Sequence, residues 1–123
     1  MEENLSFLND EDRPDAEAVI KMMEEKQFSR LRELLSDFPA ADLAELFLDI
    51  PDEKDPLLFR ILPKEIAADV FVEMDTDAQE RLLYSFSDHE LGEVLSELYM
   101  DDTVDIIEEM PANVVARILR NRA

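Results

Sequence analysis

The sequence has no cysteine, no tryptophan, one glycine and one histidine. Without cysteine there are no disulfides and no thiolate chemistry, which fits a reducing compartment. A single histidine, no cysteine and no clustered Ser–His pair leave no material for a zinc hydrolase or for nucleophilic catalysis. The scarcity of glycine argues against tight hairpin turns and phosphate-cradling loops. Apolar runs are only a few residues long, as at Leu57-Leu58-Phe59, so none spans a bilayer. The start, Met1-Glu2-Glu3-Asn4, lacks the cationic segment of a secretory signal. Basic residues are also scarce, with 12 Lys and Arg against 32 Asp and Glu, for a formal charge of −20. Such a surface repels a phosphate backbone and an anionic leaflet, so neither nucleic acid nor direct membrane contact is expected. Cations and basic protein surfaces are the partners it implies.

What is present favours a folded helical domain. Hydrophobic residues make up 46% of the chain, too many for a disordered acidic tail. Its 123 residues suit one domain. Leu, Glu, Ala, Asp and Met dominate, whereas strands want β-branched and aromatic residues.

Shifting the chain against itself exposes a 24-residue repeat. The tetrads Ala44-Glu45-Leu46-Phe47, Ala68-Asp69-Val70-Phe71, Gly92-Glu93-Val94-Leu95 and Ala116-Arg117-Ile118-Leu119 begin 24 residues apart. Each follows, at the same offset, Phe38-Pro39, Leu62-Pro63, Phe86-Ser87 or Met110-Pro111. Ahead of these stand Leu34-Leu35, Leu58-Phe59, Leu82-Leu83 and Ile106-Ile107. Two apolar clusters per period imply one helix–turn–helix unit per repeat. Pro suits the first position of each second helix, where a missing N–H costs nothing. Ser87-Asp88-His89-Glu90, where Ser replaces Pro, reads as a capping box. The pattern predicts second helices near 39–49, 63–74, 87–99 and 111–120. First helices are predicted near 28–36, 56–61, 77–85 and 102–109, with one more near 15–25. Asp52 to Pro56 and Asp75 to Asp77 read as polar connectors. Residues 1–14 form an acidic segment without assigned structure, which docks through Leu5, Phe7 and Leu8 or stays mobile. The repeat domain then covers 15–123.

The small column Ala44, Ala68, Gly92 and Ala116 reads as close helix packing, and the Leu and Phe columns as core. Met22, Met23, Met74, Met100 and Met110 read as core or cap packing rather than as a soft groove. His89 reads as a surface residue within the capping box. Paired carboxylates could serve glycoside hydrolysis, but no Trp and no sugar cleft accompany them, so an enzyme is not expected.

The carboxylates are the residue of chemistry left over. Between Arg81 and Arg117 there is no Lys or Arg, while Asp88, Glu90, Glu93, Glu97, Asp101, Asp102, Asp105, Glu108 and Glu109 accumulate. Asp101 and Asp105 stand four apart, on one helix face. A second column, Glu45, Asp69 and Glu93, runs along the second helices. These acids are either a solvated face or ligands for a hard divalent cation. Mg²⁺ often takes only one or two protein carboxylates and keeps water. No EF-hand loop is present.

The runs Leu31-Arg32-Glu33-Leu34-Leu35, Asp42-Leu43-Ala44-Glu45-Leu46, Ile61-Leu62-Pro63-Lys64 and Ala68-Asp69-Val70 resemble the cytosolic N domain of MgtE-type magnesium transporters. The likeness extends from about residue 16 to 120. It implies an all-α right-handed superhelix that precedes CBS domains of the same polypeptide and a pore, in a homodimer. It further implies a soluble domain on the cytoplasmic side of the membrane. There it closes on the CBS domains when Mg²⁺ is bound between them. By the same resemblance the Mg²⁺ ligands are Asp69, Asp101 and Asp105. No CBS segment or pore helix stands in these 123 residues, so transport itself is not assigned to them. The alternative is an acidic helical-repeat scaffold without cation sensing, similar to the middle segment of the flagellar motor switch protein. Such a scaffold binds a basic partner and loses affinity steeply with salt.

Overall fold

The computed structural model describes residues 7–9 and 12–121, and among these all regular structure is helical apart from one isolated bridge between Leu8 and Pro14. In chain order the helices are α1 (Ala16–Glu24), α2 (Phe28–Leu35), α3 (Ala40–Asp49), α4 (Asp55–Ile61), α5 (Lys64–Glu73), α6 (Thr76–Ser85), α7 (Asp88–Glu97), α8 (Met100–Glu109) and α9 (Ala112–Asn121). The chain divides into two compact units, Met1–Pro63 and Lys64–Ala123.

Helix boundaries follow the repeat to within two residues. Each second helix begins one residue after its expected Pro or Ser. Pro39 is the N-cap of α3 rather than its first helical residue, with an extended ψ of 150° and its carbonyl accepting from Leu43 N at 3.2 Å. At Ser87 the expected capping box forms. Its hydroxyl accepts from Glu90 N at 3.1 Å, and the Glu90 carboxylate accepts from Ser87 N at 3.1 Å. The stretch read as a polar connector before Pro56 is instead a 3-10 turn, Asp52–Lys54, running into α4, whose first residue, Asp55, is buried.

In the first unit α1 packs on α2 and α2 on α4. Leu31, Leu35, Leu43, Phe47 and Leu58 are almost fully buried, and the Phe47 and Phe59 rings meet edge to face at 6.3 Å. Part of the N-terminal segment joins this core. Phe7 is buried 6.2 Å from the Phe38 ring, and its carbonyl accepts from Asp15 N at 2.7 Å. Leu5 lies outside the described residues. In the second unit α5, α7 and α9 stack through their apolar columns, placing Val70, Phe71, Leu91, Leu95 and Ile118 inside. Gln79, unexpectedly buried, donates to the Phe71 carbonyl at 2.8 Å and so satisfies its amide.

Two columns depart from expectation. Met23, Met74 and Met110 are buried, but Met100 is exposed. Ala44 and Ala68 are buried, whereas Gly92 is half-buried and Ala116 exposed. A Cβ added at Gly92 would meet only the Asn121 carbonyl oxygen, at an ordinary contact distance of 3.7 Å. Close packing therefore does not demand this glycine.

Candidate cation-binding face

The second helices carry one surface position in register, occupied by Glu45, Asp69, Glu93 and finally Arg117. Glu45 on α3 is ion-paired with the Arg13 guanidinium, whose Nε also lies 3.4 Å from Asp42. Glu93 on α7 receives Lys64 Nζ at 3.0 Å and His89 Nε2 at 2.6 Å. The hydrogen bond and charge of Lys64 hold the Glu93 carboxyl below the usual glutamate range, and Glu93 in return raises the Lys64 ammonium. Arg117 on α9 inverts the sign. It donates to the carbonyls of Leu83 and Phe86 at the end of α6 and contacts Asp88 at 3.1 Å.

Asp69 is the exception. It is exposed on α5 between buried Ala68 and Val70, and among the described residues no Lys, Arg or His pairs with it. The contacts Arg13–Asp42, Lys64–Glu93 and Asp88–Arg117 share a separation of 29 residues, one repeat plus five, and Tyr84–Asn113 repeats it. At that spacing ahead of Asp69 the sequence has Ala40, which carries no charge. This spacing separates Asp69 from Glu93 in the sequence but not from Glu45, whose partner Arg13 stands 32 residues away.

Asp101 and Asp105 lie on the exposed surface of α8, one turn apart. Among the described residues neither has a cationic partner. Asp105 also lines an open groove of about 330 Å³ between α6 and α8, with Asp75, Asp102 and Glu109. Asp101 and Asp69 do not line it. The sequence reading did not group these four acids, because two come from a connector and from the far end of a helix. Two of them are engaged: Asp75 caps α6 by accepting from Ala78 N at 2.8 Å, and Glu109 accepts from the Thr76 hydroxyl. Among the described residues no three ligating side chains converge on a single metal position.

No helix among the described residues is long and apolar enough to cross a membrane. No curated protein sequence matches the chain. A sequence model of the MgtE intracellular N domain matches residues 38–122, which hold α3 to α9 and all three candidate ligands. The chain belongs to the MgtE intracellular N domain family, the cytosolic domains of magnesium transporters.

Proposed function

We propose that this domain senses Mg²⁺ for a transporter, through carboxylates of Asp69, Asp101 and Asp105 that face CBS domains of a longer homodimeric protein. The observation that carries the reading is the asymmetry within one column. Glu45 and Glu93 are each neutralised by a cation of the chain, while among the described residues Asp69 is not, and α8 adds two further carboxylates in the same condition. Exposed acids of like sign repel any facing acidic surface. A divalent ion between them removes that repulsion and adds direct ligation, so it binds the closed arrangement better than the open one. The population then shifts toward closure as Mg²⁺ rises, by an amount set by that difference in affinity.

In the transporter carrying this domain, Asp69→Asn together with Asp101→Asn and Asp105→Asn should raise the Mg²⁺ midpoint of closure about tenfold, within the usual span of coupling free energies. Small-angle scattering or distance labels across the two domains would read it. An unchanged midpoint would falsify the assignment. Closure produced equally by NaCl at matched ionic strength would favour the acidic scaffold instead.

A further inference from the structure

The groove between α6 and α8 has a counterpart two repeats earlier, between α2 and α4, with its chemistry inverted. That earlier groove, of about 250 Å³, is lined by Phe28, Ser29, Arg32, Leu57, Arg60 and Ile61. A shift of 48 residues places Phe28 on Thr76, Leu57 on Asp105 and Ile61 on Glu109, which line the later groove, and Arg32 and Arg60 on Glu80 and Glu108, which do not. Where the later groove sets acids beside Val72, Met74 and Ile106, the earlier one sets arginines beside apolar residues, in a chain of charge −20. Phe28 and Leu57 are 36% and 42% exposed, so an apolar surface is left open beside two guanidinium groups.

The complement of this groove is present elsewhere on the same chain. At the start of α8, Tyr99, Met100 and Val104 are 80%, 59% and 43% exposed, the densest run of exposed large apolar residues in the described chain. Met100, Val104 and Glu108 follow one ridge of the helix at spacings of four, and Asp101 and Asp105 flank it. An apolar ridge bordered by carboxylates is what a groove of Phe, Leu and Ile bordered by arginines accepts. Arginine adds planar, bidentate recognition of carboxylate that lysine would not.

We propose that the groove between α2 and α4 receives helix α8 of a second copy of this chain. The two surfaces differ, so the contact is heterologous. Two chains of this charge repel at long range, so the contact is weak and needs enough salt to screen that repulsion. It does not rest on the Mg²⁺ reading, and EDTA keeps the two apart.

Sedimentation equilibrium in EDTA at moderate ionic strength should give a mass that climbs above the 14.3 kDa of one chain as concentration approaches the millimolar range. Leu57→Asp, which installs the residue of the later groove, should lower the association constant about tenfold. Arg32→Glu with Arg60→Glu should weaken self-association similarly, and so should Asp101→Arg with Glu108→Arg, although the latter pair lowers the net charge. Mixing the two double variants should restore association. All these positions are exposed, and circular dichroism would verify the fold. A single-chain mass throughout leaves the groove to a partner outside this chain and overturns the proposal. So does stronger self-association of the Asp101→Arg, Glu108→Arg variant, or no recovery on mixing.

Discussion

At the scale of single residues, glycine is placed where it is not needed and absent where it would serve. Gly92 lies within α7 and has room for a Cβ, while Lys26 holds a left-handed conformation (φ 59°) in the turn from α1 to α2. Ala in place of a helix-interior Gly gains about 0.5–1 kcal/mol, so Gly92→Ala should raise the urea midpoint rather than lower it. Lys26→Gly should also stabilise, by up to about 1 kcal/mol, because only Gly takes that conformation without steric cost. The charged pair behaves differently. Glu93 has a lowered pKa, so its favourable part is present above the usual glutamate range and is lost as pH falls through the lowered value. Lys64 has a raised pKa, so its part is present below the usual lysine range and lost as pH rises beyond it. Lys64→Met should move the Glu93 carboxyl titration upward, which carbon-detected NMR would follow. Like charges in a column hid this difference. Glu45, Asp69 and Glu93 are alike in charge, and only their partners, Arg13 for Glu45 and Lys64 for Glu93, distinguish them.

At the scale of elements, ends that carry a chemical signature were legible and ends without one were not. The starts of α3 and α7 follow from Pro39 and the Ser87 capping box. Helix α8 begins two residues before the expected 102, because its N-cap, Tyr99, makes no side-chain cap bond and so leaves no mark in the sequence. The acidic groove was illegible for a related reason. Its walls come from α6 and α8, and the repeat gives the helix period but not which faces of alternate helices oppose each other. One element end depends on a residue more than thirty positions away. Arg117 supplies donors for the Leu83 and Phe86 carbonyls at the end of α6, where intrahelical partners run out. Lysine cannot span both acceptors, so Arg117→Lys should cost about 1–2 kcal/mol in a thermal or urea melt.

At the scale of the molecule, the fold was legible because core and charge occupy separate columns. Leu, Val and Phe recur every 24 residues, whatever the neighbouring surface positions carry. The price is a net charge of −20 held on a small domain, which opposes the compact state. Salt shortens the reach of that repulsion to about 10 Å at 0.1 M, so the unfolding temperature should rise steeply with NaCl from low ionic strength and then level off. A midpoint indifferent to salt would mean the acids do not act collectively.

The charge is also unevenly aligned with the helices that bear it. In α8 Asp101 and Asp102 sit at the positive end of the helix dipole, but Glu108 and Glu109 crowd the negative end with no basic residue in the last turn. Apart from buried Ile106 and the Thr76 hydroxyl bond to Glu109, that turn is held by its own backbone against an adverse field, which lowers the cost of local opening. Amide protons of residues 106–109 should therefore exchange with deuterium sooner than those of α5 or α7 and slow when cations gather on the helix. Rigidity in this protein is then something its ionic surroundings supply, turn by turn, rather than a fixed property of the chain.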